Sequence, residues 1–151
     1  MKVHYQNSFV PKNKIYSANL DTYYMSSDAS FWHSMEKLLI TNSLIIDRPR
    51  GSSHPRYPAV TYPLDYGYLE NTTSSDGGID VWQGSLNTVT NEEGAQILTG
   101  ILCTFDTLKH DAEIKLLIEC SVEDIQVIRD FHKEMHTLYI PNPAAGHDLS
   151  S

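Results

Sequence analysis

Apolar residues near the start of the chain recur at helical spacing. Phe31, Trp32, Met35, Leu38 and Leu39 fall at i, i+1, i+4, i+7 and i+8 behind Asp28, a residue type that caps helices. This predicts a helix from Asp28 whose apolar stripe faces the core. After Leu39 the pattern turns to short runs of the strand type: 43–47, 59–62, 79–83, 95–104 and 112–120. Turn-forming clusters separate them, among them Arg50-Gly51-Ser52-Ser53, the stretch 71–78 and the stretch 87–94. Ser121 followed by Asp124 has the form of a helix N-cap, and Ile125, Ile128, Phe131, His132 and Met135 continue at helical period. Several short strands between two helices indicate an α+β protein whose strands form a small barrel.

Residues 1–27 show no sustained period and read as an irregular extension. The organised domain spans 28–140, and the Pro-Asn-Pro-Ala-Ala-Gly stretch from Pro141 reads as a flexible tail over 141–151. At 151 residues the chain suits one domain. With 19 acids against 11 bases and a net charge of −8, nucleic acid is an unfavourable partner, because such binding rests on neutralising phosphates. Cys103 and Cys120 lie seventeen positions apart, outside any Cys-x-x-Cys pair, so a reduced, cytoplasmic setting is expected. No apolar run approaches the ~18 residues of a membrane span, and no signal-type segment opens the chain, so no membrane partner is expected. Homo-oligomerisation is left open.

Against this acidic background the basic residues are concentrated. Arg48, Arg50 and Arg56 are three of the four arginines and fall within nine positions. Guanidinium forks match phosphate oxygens, and the alternative is that these arginines neutralise nearby carboxylates. In Tyr62-Pro63-Leu64-Asp65-Tyr66-Gly67-Tyr68, three phenols stand on a stretch kinked by proline, either as donors to an anion or as an aromatic corner of the fold. Asp76 and Asp80 bracket a glycine-rich loop; carboxylates so placed suit Mg²⁺, and equally suit a plain turn. Between Asp106 and Lys115, strand alternation turns Asp111, Glu113 and Lys115 to one face, as a phosphate site or as ordinary ion pairs. His132 and His136, four apart on the predicted helix, have a zinc-compatible spacing with no third ligand nearby.

Taken in order, Asp47-Arg48-Pro49, Gly51-Ser52 with His54-Pro55, the Tyr62 to Tyr68 segment, Ile79-Asp80-Val81 and the acid-rich approach to Lys115 resemble the family I soluble inorganic pyrophosphatases, in particular the short bacterial branch. The resemblance covers about seventy residues, from Ile45 to Lys115. It implies a five-stranded OB-like β-barrel with flanking helices, and Mg²⁺-dependent hydrolysis of inorganic pyrophosphate, or of another small phosphoanhydride, by a metal-activated water. On that basis Arg48, Tyr62, Tyr66, Lys115 and, more loosely, Lys133 would contact substrate. Asp76, Asp80, Asp106 and Asp111 would hold metal, with Asp80 bridging two ions and Asp76, Asp80 and Tyr66 closest to the chemistry. Glu113 competes with Asp111 for one ligand position. The chain departs from the family in several places: extra residues separate Asp106 from Lys115, the Tyr-Lys pair usual on the last helix is not cleanly reproduced around Lys133, and the family's N-terminal Glu and Lys positions have no counterpart. Asp76 and Asp80 are four apart where the family's loop spans five, Gly78 stands where it has its middle acid, and Asp65 stands where it has asparagine. These departures frame the alternative, a non-catalytic or weakly active phosphate-binding or interaction module.

Overall fold

The computed structural model describes residues 19–86 and 96–145, with side chains from residue 28 onward. Its elements in order are α1 (Asn19–Thr41), β1 (Leu44–Arg48), β2 (Asp65–Leu69), β3 (Asp80–Gln83), β4 (Leu98–Asp106), β5 (Asp111–Ile118), α2 (Val122–Phe131), β6 (His136–Pro141) and a single 3-10 turn over Pro143–Ala145. The strands form one six-stranded mixed sheet in the order β1-β2-β3-β5-β4-β6. Only the β3–β5 pairing is parallel. β1 and β6 end the ladder without pairing to each other, so the expected five-stranded barrel is replaced by an open sheet with one strand more.

Strand alternation assigns the sheet two cores. On one face Leu69, Val81, Leu98, Ile101, Leu116 and Ile118 pack with Trp32 of α1, and Met35, Leu38 and Leu39 lie against them. Trp32, Met35, Leu38 and Leu39 of the stripe read from the sequence therefore face the core, whereas Phe31 at its start is exposed. On the other face Trp82, Leu102 and Leu117 pack with Ile125 and Ile128 of α2, joined by Tyr62, Leu64 and Cys120. Burying one such aliphatic side chain contributes roughly 1.5–3 kcal/mol, so these two clusters are the main source of stability. The α1 face is covered only in part. Along β4, β5 and β6, Phe105, Ile114, Leu138 and Ile140 remain exposed.

Local chemistry explains where the elements differ from expectation. α1 starts at Asn19 rather than Asp28, because each residue added to an existing helix gains a hydrogen bond without a new nucleus. Residues 19–27 of the expected irregular extension are thus helical, and residues 1–18 lie outside the described residues. α2 is opened by the predicted capping box of Ser121 and Asp124, but it ends at Phe131, not Met135. The chain then turns through His132–Met135 (Met135 N–H to His132 O, 2.9 Å) into β6, whose alternating Thr137 and Tyr139 point inward. Met135 continues the helical period only by coincidence of spacing. Over 59–62, Pro55, Pro58 and Pro63 remove ladder donors, and the expected strand is reduced to a single bridge between Ser53 and Thr61. Pro141 closes β6 and 143–145 form one turn, so the described part of the expected tail is ordered; 146–151 and the turn cluster at 87–94 lie outside the described residues. No described helix is long and apolar enough to cross a membrane.

One glycine is required by close approach. A Cβ on Gly67 would overlap the carbonyl oxygen of Ile45 and crowd Ile46 on β1. Gly67→Ala is expected to destabilise the protein by about 1–3 kcal/mol, the usual range for overpacking. Thermal unfolding followed by circular dichroism should show a fall of roughly 2–4 °C per kcal/mol.

Candidate functional site

The sheet face covered by α2 becomes polar toward one end, and register shows why. Tyr66 lies opposite Trp82 across β2 and β3, and Trp82 lies opposite Leu117 across β3 and β5. Asp80, two residues before Trp82, and Lys115 and Glu113, two and four before Leu117, therefore share that face. A register shift in β1 between Ile46 and Arg48 sets Arg48 opposite Tyr66, a common use of a bulge to redirect a side chain. Four separate segments deliver their polar groups to one place.

Lys115 is its centre, only 4% exposed. Its Nζ donates to Asp80 Oδ2 at 2.7 Å, to Glu113 Oε2 at 2.8 Å and to the Tyr66 hydroxyl at 3.2 Å, and lies 5.6 Å from the centroid of the Tyr66 ring. The second Glu113 oxygen accepts from Ser75 Oγ at 2.8 Å, and Asp111 adjoins Glu113 on the same strand face. Burial by itself lowers the pKa of Lys115, but Asp80 and Glu113 outweigh it and raise the value above that of free lysine. For Glu113, burial works upward, yet the bonds from Lys115 and Ser75 hold its carboxyl below the ordinary range. Burial and the Asp80 charge push the Tyr66 phenol up, so it stays a neutral donor. Burial raises the pKa of the Tyr62 phenol, and the nearby Arg48 guanidinium opposes that rise; Arg48 itself donates to the Asp47 carbonyl at 3.0 Å and reaches its carboxylate at 3.6 Å.

Aromatic rings form the floor. Tyr62 stacks on Tyr66 at 5.5 Å, and Trp82 contacts Tyr66 at 4.7 Å and Phe131 at 5.2 Å. Trp82 Nε1 donates to His132 Nε2 at 3.2 Å, which leaves the imidazole proton on Nδ1. Burial, helped by the Lys115 charge, lowers the His132 pKa to about 3, so this histidine is a neutral acceptor. The Trp82–His132 pair spans fifty positions and has no local signal in the sequence. His136 stands apart on exposed β6, so the zinc spacing on a continuous helix is not realised.

The other expected site residues are dispersed. Asp106 caps the β4–β5 turn, accepting the amides of Leu108 at 2.9 Å and Lys109 at 3.1 Å. Asp76 is exposed in the tight turn closed by Ser74 N–H to Gly77 O. Lys133 is exposed beyond the end of α2, and its side chain makes no hydrogen bond or ion pair among the described residues. Of the two competing acids, Glu113 is the one that reaches Lys115. Asp80 and Glu113 are hard carboxylates that meet at the Lys115 ammonium, and each already accepts from it. Mg²⁺ shared with a phosphate ligand takes one or two carboxylates plus phosphate oxygens and keeps waters, so two carboxylates are enough in number for one such ion. The geometry does not fit a cluster built on Asp76, Asp80, Asp106 and Asp111, and among the described residues no group of three or more potential ligands gathers to hold a metal.

No protein-family model matches the chain, and no curated protein matches it.

Two outcomes test this geometry. Lys115→Met leaves Asp80 and Glu113 facing each other unpaired and should cost about 3–5 kcal/mol, while the triple variant with Asp80→Asn and Glu113→Gln should recover most of it, as read from denaturant titration. The second outcome concerns His132, which is neutral when folded and titrates at about 6.5 when unfolded. Below pH 6.5 the unfolded chain binds the extra proton, so stability falls with decreasing pH by up to about 1.4 kcal/mol per unit. Between pH 6.5 and the ordinary glutamate value of 4.5 this slope should be present in the wild type and flattened in His132→Gln.

Proposed function

We propose that the chain binds and hydrolyses a small phosphoanhydride as its Mg²⁺ complex, with inorganic pyrophosphate as the reference substrate, as the resemblance to family I pyrophosphatases implies. The observation that carries this reading is the convergence of Asp80, Glu113 and Tyr66 within 3.2 Å of the buried Lys115 ammonium, with Arg48 and Tyr62 alongside. On this reading the open sheet is a splayed relative of the OB-like barrel, and the protein works in the cytoplasm.

The roles follow from charge and geometry. Asp80 and Glu113 would hold the cation, which when bound supplies a more acidic water and neutralises developing phosphate charge. Arg48 and Lys115 are the cations available to phosphate oxygens, Arg48 as a bidentate fork and Lys115 as a point charge. Tyr66, kept neutral by burial, donates a hydrogen bond without adding negative charge. Lys115 is oriented by its two carboxylates, and the aromatic floor excludes water from beneath it.

A second reading, binding without turnover, is favoured by one observation: Asp106 is spent on the amides of its own turn and Asp76 is exposed in the Ser74–Gly77 turn, neither bonded to Lys115, so the acid that would position an attacking water lacks a bearer. One pair of measurements separates the two. Phosphate release from pyrophosphate with Mg²⁺ should be clear for the wild type and fall at least about a hundredfold in Asp80→Asn, the scale on which loss of an electrostatic catalytic group acts. Pyrophosphate binding by calorimetry with no release establishes the binding module, and neither binding nor release overturns both readings.

A further inference from the structure

Beside the Lys115 site, and sharing Tyr62 with it as a wall, lies a cleft of about 540 Å³. One wall is the segment carrying Arg50, Thr61, Pro63 and Leu64, and the other is Ser85 with Asp124 and Val127 of α2, the Asp124 carboxylate being held by Ser85. We propose that this cleft takes the organic group of an organic diphosphate, so that the preferred ligand is a diphosphate ester of nucleoside size rather than inorganic pyrophosphate. The inference rests on the reading of the Lys115 site as a phosphoanhydride site, and it names the class of ligand that site accepts.

Inorganic pyrophosphate has no atoms beyond its phosphates and would leave the cleft unused. The volume falls within the roughly 300–1,000 Å³ of small-molecule sites. Its walls are fixed in advance. Gly51 N–H donates to Tyr62 O at 2.8 Å and Tyr62 N–H to Ser52 O at 2.9 Å, while Arg50 N–H is held by Asp65 Oδ1 at 2.7 Å. Asp65 thereby has a structural task at the position where the resembled family carries asparagine. On the far side, Ser85 N–H and Oγ bond to the Asp124 carboxylate at 2.8–3.0 Å and tie the end of β3 to α2. Ligands bind more tightly to walls that need no ordering.

The lining also has the mixed character that an organic diphosphate requires. Pro63, Leu64 and Val127 give apolar contact, and Thr61 offers a hydroxyl. The exposed Arg50 guanidinium has no carboxylate partner among the described residues and adds a cation where the phosphate chain would enter. Tyr62 joins the two compartments: it lines the cleft while its ring stacks on Tyr66 at 5.5 Å.

Calorimetric titration of the full chain in Mg²⁺ with ADP and with inorganic pyrophosphate tests this. ADP should bind about tenfold more tightly, or ~1.4 kcal/mol. Val127→Trp, at a half-exposed position of α2, should fill the cleft and abolish the preference, and Thr61→Trp on the opposite wall should do the same if the first variant fails to fold. Val122→Trp, on the same helix outside the cleft, should leave both affinities unchanged. Pyrophosphate binding equal to or tighter than ADP, or an equal loss of both ligands in Val127→Trp, overturns the inference and leaves the Lys115 reading in place. Binding of neither ligand overturns both.

Discussion

A lysine ammonium buried within a sheet is the constraint from which the rest of the structure follows. Moving such a charge out of water costs several kcal/mol even after the surroundings relax, and only well-placed opposite charges offset it. Lys115 has two, Asp80 and Glu113, at 2.7 and 2.8 Å. Glu113 comes from its own strand at the same-face spacing. Asp80 arrives only because β3 runs parallel to β5 in the register that places Trp82 beside Leu117. A slip of one residue would turn Asp80 to the α1 face and leave Trp82 without its pocket. The ion cluster and the hydrophobic core therefore select the same register. Asp80, Glu113, the adjoining Asp111 and Asp47 outnumber Lys115 and Arg48, so the cluster is acidic overall, which favours an incoming polyanion that brings its own countercharge over a bare one.

Aromatic packing converts that electrostatic centre into a surface of fixed shape. Trp82 is fully buried, contacts Tyr66 and Phe131, and has its only polar hydrogen satisfied by His132. The acceptor works because the imidazole is neutral; protonation would bring a second positive charge near Lys115 and remove the lone pair that Trp82 needs. Gly67, between Tyr66 and Tyr68, lets β1 approach closely enough for Arg48 to stand opposite Tyr66. A side chain at 67 would hold the strands apart and separate the guanidinium from the phenols. The site therefore depends on packing well outside the residues that bear its charge.

Features carried by local pattern were legible in the sequence, and features created by distant contact were not. The α1 stripe, four of the six strands and the Ser121 capping box each rest on residues within a few positions of one another. So did the shared face of Asp111, Glu113 and Lys115, which alternation alone assigns. The closed barrel was inferred from the run of short strands and its five-stranded OB-like form from the family resemblance, but whether β1 and β6 meet depends on curvature that no short window encodes. β2 was hidden because its tyrosines read as a motif after a proline, and β6 because Met135 happens to extend the period of α2. Among the acids, sequence cannot distinguish a carboxylate that faces a cation from one that caps its own turn. Asp106 and Asp80 have equally suggestive neighbours; only the fold shows that Asp106 is bound to the amides of Leu108 and Lys109.

That distinction bears on what can change when the site is loaded. Both Glu113 oxygens are occupied, one by Lys115 and the other by Ser75. The two bonds are not equivalent. Removing Lys115 would strand a buried charge, whereas Ser75 is an exposed hydroxyl that exchanges its bond for one to water at about 1 kcal/mol or less. The base of the 71–78 loop is fixed by Thr72, which bonds Leu69 O and Ile79 N–H, and its tip by the Ser74–Gly77 turn. Among the described residues the side-chain tie from tip to site is Ser75 to Glu113. A ligand that needs a Glu113 oxygen therefore displaces Ser75 at the lowest cost, and the loop that bears Asp76 is the part of the structure most directly coupled to occupancy.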